Sequence, residues 1–218
     1  MKQSHGFWFP SYDDHFPRML EKSLKKDGVV RYQYKARDAA VAACDNHRIC
    51  IDIGANVGLW ACDLVKEFDH VIAFEPVAEF RECFAKNVPS TNYTMNPVAL
   101  GREESFIEMN IVQGNTGHSH IDPKSLGKGT IPLKTLDSFN YTNVDMIKID
   151  VEGFEEEILA GAMNTIERNK PVIVVEQQNH EYKNAMEEKP SIRILEGWGY
   201  KVVDQFKKDW ILKYKGAL

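Results

Sequence analysis

Hydrophobic residues recur along the chain in two alternating patterns. Short, nearly continuous apolar runs predict buried strands, and runs with apolar positions three or four residues apart predict helices. The predicted strands cover residues 48–54, 70–76, 93–101, 145–151, 170–177, 200–206 and 209–215, and the predicted helices cover 13–26, 37–46, 59–68, 77–88, 154–169 and 190–199. Strands that alternate with helices indicate a mostly parallel α/β sheet covered on both faces, which is a doubly wound fold.

Two regions depart from this alternation. Residues 1–30 are rich in aromatic side chains and are predicted to be irregular before their helix, and residues 114–129 form a turn-rich loop of a length that is usually functional. The last two strands are separated by two lysines and predict an antiparallel β-hairpin. We expect one domain over residues 1–218, with a Rossmann-like core over 46–218 and an N-terminal extension or lid over 1–45.

Composition narrows the class of protein. The chain has 218 residues, of which 43% are hydrophobic and 27% charged, as is ordinary for a globular domain. A formal net charge of -5 argues against a nucleic-acid partner bound through its phosphates. No apolar stretch approaches the roughly 18 residues of a membrane span, and the first residues lack the apolar core of a secretory signal. These features favour a cytoplasmic protein without a membrane partner.

A glycine-containing loop follows the first strand of the predicted sheet. Gly54 and Gly58 fit neither the dinucleotide motif G-x-G-x-x-G nor the phosphate loop. Glu75 lies about twenty residues further on, where an acidic side chain can accept hydrogen bonds from both hydroxyls of a ribose. These residues predict a site for an adenosine moiety. Asp52 before the loop would repel a pyrophosphate but suits the ammonium group of S-adenosylmethionine, and Asn56 occupies the middle of the loop.

Acidic and histidine side chains follow the fourth and fifth predicted strands. Ligands of open α/β sheets bind beyond the carboxyl ends of the strands, and methyl transfer to a hydroxyl of high pKa requires a group that takes its proton. The candidate bases are therefore Asp150, Glu152, Glu176 and His180. Asp150 ends the fourth strand, and a histidine has the ordinary pKa that best suits a base at neutral pH.

Each of these residues also has a structural interpretation. Asp150 or Glu152 could cap the helix that follows, because acidic side chains favour helix N-termini. His180 could be a surface residue of a polar loop. Glu155–Glu157 are interpreted as a solvated helix face, and Lys148, in a buried strand, is expected to pair with a neighbouring carboxylate.

The loop over 114–129 is a candidate for substrate contact. Asn115 and Ser119 offer polar side chains for an acceptor. His118 and His120 are spaced two residues apart without a third placed ligand, so a metal site is not predicted there.

Several segments together resemble the FkbM-type family of S-adenosylmethionine-dependent methyltransferases. They are "IDIGANVGLW", "VIAFEPVAEF", "NPVALG", "TLDSF" and "VDMIKIDVEGFEEEILAGA", followed by "KPVIVVEQ". The resemblance runs from about Ile49 to Glu176 in the family's order. It implies a seven-stranded class I methyltransferase-like sheet with the final hairpin inserted, and methyl transfer to an oxygen of a sugar, glycan or other small molecule.

The resemblance also implies roles for individual residues. The methionine part of S-adenosylmethionine would lie against Asp52, Gly54, Asn56 and Gly58, the ribose on Glu75, and the adenine near Pro97–Ala99. The whole expected cofactor set is Asp52, Gly54, Ala55, Asn56, Gly58, Glu75, Pro76, Val98 and Ala99.

Three other functions stay open. In a metal-assisted O-methyltransferase, Asp150 would hold a divalent cation that orients the acceptor oxygen. An NAD(P)-dependent oxidoreductase is disfavoured by the missing dinucleotide motif and by Asp52, and a non-catalytic nucleotide-binding relative is a further alternative. The sequence carries no signal for an oligomeric state.

Overall fold

The protein is described by a computed structural model that covers residues 1–177 and 190–216. Within these residues, seven strands form the main sheet: β1 (Ile49–Ile53), β2 (His70–Phe74), β3 (Tyr93–Asn96), β4 (Val144–Ile149), β5 (Val172–Glu176), β6 (Tyr200–Phe206) and β7 (Asp209–Tyr214). The α-helices of the same residues are α1 (His15–Asp27), α2 (Tyr34–Ala43), α3 (Ala61–Glu67), α4 (Ala78–Asn87), α5 (Glu155–Ala160), α6 (Met163–Asn169) and α7 (Pro190–Gly197).

The main sheet has the strand order β6-β7-β5-β4-β1-β2-β3. Strands β1 to β5 pair in parallel, and β7 runs antiparallel to both β5 and β6. The order reverses between β4 and β1, so the carboxyl ends of these two strands flank a crevice where ligands of such sheets bind. The doubly wound, mostly parallel sheet with a C-terminal hairpin is confirmed.

Successive side chains of each strand point to opposite faces of the sheet. Both faces are buried because helices cover each of them. Ile51, Ile147 and Ile173 share one core with the helices α5, α6 and α7, and Cys50, Met146 and Val174 share the other with α2 and α3. All six side chains are at most 1% exposed. The continuous apolar runs that predicted these strands therefore reflect burial on two faces rather than one.

The N-terminal region is more regular than predicted. Residues Lys2–Ser4 and Phe7–Phe9 pair as a short antiparallel hairpin, where the sequence predicted irregular chain. Phe9 is fully buried and shares a core with Phe16 and Leu20 of α1. Two strands of three residues are too short to show an alternating pattern, so their tertiary packing rather than their periodicity reveals them.

Two predicted elements are divided in the structure. The strand predicted over 93–101 ends at Asn96, and Ala99–Leu100 pairs in a separate three-stranded sheet with Ser105–Ile107 and Ile131–Lys134. Pro97 lies between the two parts and has no N–H for a sheet ladder. The helix predicted over 154–169 is broken at Gly161, where an added Cβ would lie 2.0 Å from the Gly101 carbonyl oxygen.

The irregular stretch between the two halves of the core forms short elements. Met109–Asn110 pairs with His120–Ile121, and single 3-10 turns occur at Thr116–His118, Pro123–Ser125 and Leu136–Phe139. The strand Ile131–Lys134 is followed directly by the last of these turns, whose N-cap is Thr135. Among the described helices, none has both the length and the hydropathy that crossing a membrane requires.

Candidate functional site

A cavity of about 340 Å³ opens at the carboxyl ends of β1, β2, β4 and β5, a size within the range of small-molecule sites. Seven residues of the expected cofactor set line it: Gly54, Ala55, Asn56, Glu75, Pro76, Val98 and Ala99. Asp52 and Gly58 of that set lie outside its lining. The lining also includes residues of α1, of the loop around His118 and of the turn between β6 and β7.

Glu75 is held in one orientation by the loop after β1. Its side chain is 4% exposed, and its carboxylate oxygens accept hydrogen bonds from the backbone N–H groups of Asn56 at 2.9 Å and Val77 at 2.8 Å. A carboxylate has about four lone-pair positions, so each oxygen keeps capacity for a ribose hydroxyl. Burial raises the pKa of Glu75 to about 7, although the two N–H groups oppose that rise.

The two loop glycines are required by close packing. At Gly54, with φ 76°, a Cβ would lie 2.0 Å from the backbone oxygen of Asp150, so the loop can approach the end of β4 only without a side chain. At Gly58, with φ 86°, a Cβ would clash with Val88 and Phe84 at the end of α4. Gly58 thus serves helix packing, and it lies outside the cavity lining.

Asp52 is buried in an ion pair instead of facing the cavity. Its side chain is fully buried, and its carboxylate lies 3.2 Å from Lys148 Nζ, which also lies 3.6 Å from the Asp150 carboxylate. Burial alone would lower the pKa of Lys148, but these carboxylates outweigh it and raise that pKa. The expected pairing of Lys148 is confirmed, and Asp52 reaches the cavity only through this lysine.

Three carboxyl groups meet where β4 and β5 end. One oxygen from each of Asp150, Glu152 and Glu176 lies within 4.8 Å of the others, and all three residues are partly exposed. Burial, followed by the charge of Asp150 and a hydrogen bond to it, raises the pKa of Glu176 to about 10. Burial and the neighbouring charge therefore favour the protonated form of Glu176, which can donate a hydrogen bond within the cluster.

Neither Asp150 nor Glu152 caps the following helix. Glu155, the first residue of α5, instead folds back on the loop before the helix: its carboxylate accepts hydrogen bonds from the N–H groups of Gly153 at 3.0 Å and Val151 at 3.4 Å, and the N-cap residue Phe154 makes no side-chain cap. The side chain of Glu155 is 3% exposed, so its interpretation as part of a solvated face was wrong. Glu157 of the same run agrees with the interpretation as a solvated face, because it pairs with Arg102 at the surface.

The predicted substrate residues are only partly brought to the cavity. Ser119 and His118 line it, whereas Asn115 and His120 do not. The His120 ring interacts instead with the His118 carbonyl oxygen at 2.9 Å. His180, predicted as a base, lies outside the described residues.

Thr116 connects the N-terminal extension to the cofactor loop. Its hydroxyl donates to the fully buried Asp13 carboxylate at 2.8 Å, and its carbonyl oxygen accepts from the Asn56 side chain at 3.2 Å. The Asn56 backbone in turn holds Glu75. These contacts join the segment before α1 to the loop after β1, and His15, Phe16 and Met19 of α1 line the cavity.

Some cavity residues were not predicted. His15, Phe16 and Met19 come from α1, Tyr32 from the segment before α2, and Asp209 from the start of β7. Burial and the nearby carboxylates, with Asp150 and Asp209 the strongest, keep the pKa of Tyr32 well above its usual value, so its hydroxyl is a donor. These residues carry no local motif, because they meet only when distant segments pack together.

Comparison with known proteins matches this geometry. Residues 52–202 match the family model of the Methyltransferase FkbM domain. The Hexuronic acid methyltransferase AglP of Haloferax volcanii is 28% identical over 133 residues, covering 56% of this chain and 53% of that protein. The chain thus spans about half the length of this curated relative.

Solved structures show the same fold at low identity. The methyltransferase FkbM of Methylobacillus flagellatus KT has a TM-score of 0.51 at 18% identity, covering 78% of this chain and 44% of that one. An rRNA methylase of Streptococcus thermophilus has a TM-score of 0.51 at 9% identity, covering 84% of this chain and 96% of that one. Together with the strand order, these likenesses establish the class I methyltransferase fold.

Proposed function

Because this chain belongs to the FkbM methyltransferase family, we propose that it transfers the methyl group of S-adenosylmethionine to a hydroxyl oxygen of a sugar, glycan or other small molecule. The observation that carries the proposal is the position of Glu75 beside the loop of Gly54–Asn56, in a cavity that is also lined by the three clustered carboxyl groups of Asp150, Glu152 and Glu176. A ribose-binding carboxylate and a proton acceptor thus share one cavity.

The cavity residues fit the cofactor. Glu75 would bind the two ribose hydroxyls, and Pro76, Val98 and Ala99 supply an apolar surface suited to the adenine. When bound, S-adenosylmethionine supplies an electrophilic methyl group on a sulfonium, so the protein's task is to align the acceptor and remove its proton.

Asp150 is the proposed base. It directly follows β4 on the cavity wall, and its carboxylate lies 3.6 Å from Lys148 Nζ. The raised pKa of Glu176 favours its protonated form, which would donate a hydrogen bond to the acceptor or to Asp150. The relative from Haloferax volcanii, a hexuronic acid methyltransferase, supports a sugar as the acceptor.

Calorimetry with S-adenosylhomocysteine tests the cofactor site. Replacing Glu75 by alanine removes both ribose acceptors, and hydrogen bonds to a charged group contribute about 1.5–3 kcal/mol, so we expect an affinity about ten- to a hundredfold weaker. Glu82→Ala, at an exposed position of α4, is the matched control and should bind as the wild type does. Absent binding by the wild type, or undiminished binding by Glu75→Ala, would contradict the proposal.

One observation favours a second candidate, the metal-assisted O-methyltransferase. The sequence analysis named Asp150 alone as a metal ligand. The structure adds Glu152 and Glu176, whose carboxyl oxygens lie close enough to that of Asp150 to bind the same ion. Carboxylate oxygens are the ligands that Mg²⁺ prefers. If the base mechanism is correct, dialysis against EDTA leaves the rate of methyl transfer unchanged. A rate that falls at least tenfold and returns with added Mg²⁺ or Mn²⁺ would favour the metal-assisted alternative.

A further inference from the structure

The N-terminal extension is connected to the loop after β1, residues 54–58, at two neighbouring residues. The first connection runs through Thr116, whose hydroxyl donates to the Asp13 carboxylate at 2.8 Å and whose carbonyl oxygen accepts from the Asn56 side chain at 3.2 Å. Asp13 and Thr116 are both 0% exposed. A hydrogen bond between buried groups is costly to lose, because no water replaces the missing partner. This connection therefore holds Asn56 in place.

The second connection runs through Asn87, the last residue of α4. Its amide oxygen accepts from the backbone N–H of Trp8 at 2.6 Å, and its amide nitrogen donates to the carbonyl oxygens of Trp8 at 2.8 Å and Val57 at 2.7 Å. Asn87 is itself buried. Because Val57 directly follows Asn56, the two connections hold adjacent residues of one loop.

Asn56 is the residue through which the loop orients Glu75. Its φ is 49°, in the left-handed region, which costs energy in any residue other than glycine, although asparagine tolerates it better than most. In this conformation its backbone N–H donates to the Glu75 carboxylate at 2.9 Å. A shift of the loop would move this N–H. The contacts that hold Asn56 therefore also fix the carboxylate.

Asp13 also fixes the start of α1. One of its carboxylate oxygens accepts from the backbone N–H of His15 at 2.9 Å, while the other accepts from the Thr116 hydroxyl. The next residue, Asp14, donates its backbone N–H to the Gly114 carbonyl oxygen at 3.1 Å. One buried side chain thus joins the first turn of α1 to the 3-10 turn at Thr116–His118, and through it to the loop that orients Glu75.

We propose that Asp13 and Thr116 are positioning residues of the cofactor site. They hold Asn56 in its left-handed conformation, so that Glu75 is already oriented for the ribose when the cofactor arrives. Neither residue belongs to the cavity lining, so both act through the loop and not by contact with the cofactor. The inference rests on the proposed function, and it makes the N-terminal extension a working part of the ribose site.

Calorimetry with S-adenosylhomocysteine and two variants of one residue tests the proposal. Thr116→Val keeps the shape of the side chain and removes the hydroxyl, whereas Thr116→Ser keeps the hydroxyl. Thr116→Val should weaken the affinity about three- to tenfold, the equivalent of one hydrogen bond, because binding must then also order the loop. Thr116→Ser should bind within about twofold of the wild type, since the bond to Asp13 is retained.

Thr165→Val is the matched control for a purely structural effect. Thr165 is also 0% exposed and its hydroxyl donates to the Asp137 carboxylate at 2.7 Å, but it belongs to α6 and lies outside the cavity lining. Both threonine-to-valine variants should lower the free energy of unfolding, which urea and circular dichroism measure. Only Thr116→Val should lose affinity for S-adenosylhomocysteine under conditions in which both are folded. An equal loss of affinity in Thr165→Val would contradict a positioning role.

A double-mutant cycle shows whether Thr116 acts through Glu75. In a protein that already carries Glu75→Ala, Thr116→Val should weaken binding by less than about twofold, because the carboxylate that the network orients is gone. If the loss in that background is as large as in the wild type, Thr116 does not act through Glu75 and the inference fails.

Asp13→Asn provides a second variant in case Thr116→Val does not fold. Asparagine has one acceptor oxygen where aspartate has two, so it cannot accept from both His15 and Thr116. It should weaken the affinity by the same factor of about three to ten. Wild-type affinity in the folded variant, with Glu75→Ala weakened, would overturn this inference alone. A wild-type protein that binds no S-adenosylhomocysteine would remove the proposed function as well.

Discussion

Replacing Asp150 by asparagine is expected to lower kcat by about 10²–10⁴-fold, the usual contribution of a positioned general base. Asparagine keeps the size of the side chain but cannot take a proton from the acceptor hydroxyl. Affinity for S-adenosylhomocysteine should change little, because the cofactor residues Glu75 and Asn56 are held by other contacts. Single-turnover rates with saturating cofactor measure the chemical step directly.

Glu176→Gln is the matched control for this variant. Burial and the charge of Asp150 raise the pKa of Glu176 to about 10, so its neutral form is present at pH 7 and glutamine reproduces a neutral hydrogen-bonding group. We expect this variant to retain at least a tenth of the wild-type kcat. If Glu176→Gln loses as much activity as Asp150→Asn, or if Asp150→Asn is fully active, Asp150 is not the base.

Replacing Lys148 by methionine is expected to lower the free energy of unfolding by about 3–5 kcal/mol, because it leaves the charge of Asp52 buried without its partner. Methionine preserves most of the volume, and the apolar stem still packs against Trp60, whose ring lies 5.6 Å from the ammonium group. Urea unfolding monitored by circular dichroism gives the difference. Lys213→Met, at an exposed pair with Asp45, should cost no more than about 1 kcal/mol.

The loss caused by Lys148→Met should depend on pH. Burial raises the pKa of Asp52, and Lys148 opposes that rise; without the lysine the folded-state pKa lies further above the unfolded value. A raised carboxyl pKa destabilises the folded state as pH increases through the interval between the two values, so the deficit shrinks towards acidic pH. Adding Asp52→Asn to Lys148→Met should recover part of the loss at pH 7. An additive or larger loss in the double variant would contradict the buried pair.

The cofactor half of the site could be read from the sequence, because its residues belong to consecutive elements. Gly54 and Glu75 each stand at the end of a predicted strand, and adjacent parallel strands bring their carboxyl ends together. The sequence alone did not determine the roles of Asp52 and Gly58. Both residues lie in the expected segment, but Asp52 turns to the core because it pairs with Lys148, and Gly58 is required by its packing against the end of α4.

The acceptor half was largely hidden. Asp150, Glu152 and Glu176 were recognised as strand-end residues, yet the sequence did not show that their carboxyl groups cluster, and Glu155 was interpreted as solvated. Tyr32 and the lysines of the β6–β7 turn are separated from Asp150 by more than fifty residues. No local pattern marks such residues, since only the closure of the sheet and the covering of the cavity by α1 bring them to one place.

The sequence by itself determined the parallel sheet, its hairpin and the position of Glu75 at a strand end, because these depend on periodicity and on spacing within neighbouring elements. The tertiary structure decided which carboxyl groups cluster and which lysine is buried. Those outcomes depend on burial and on distances between segments far apart in the chain, and electrostatic effects change steeply with both.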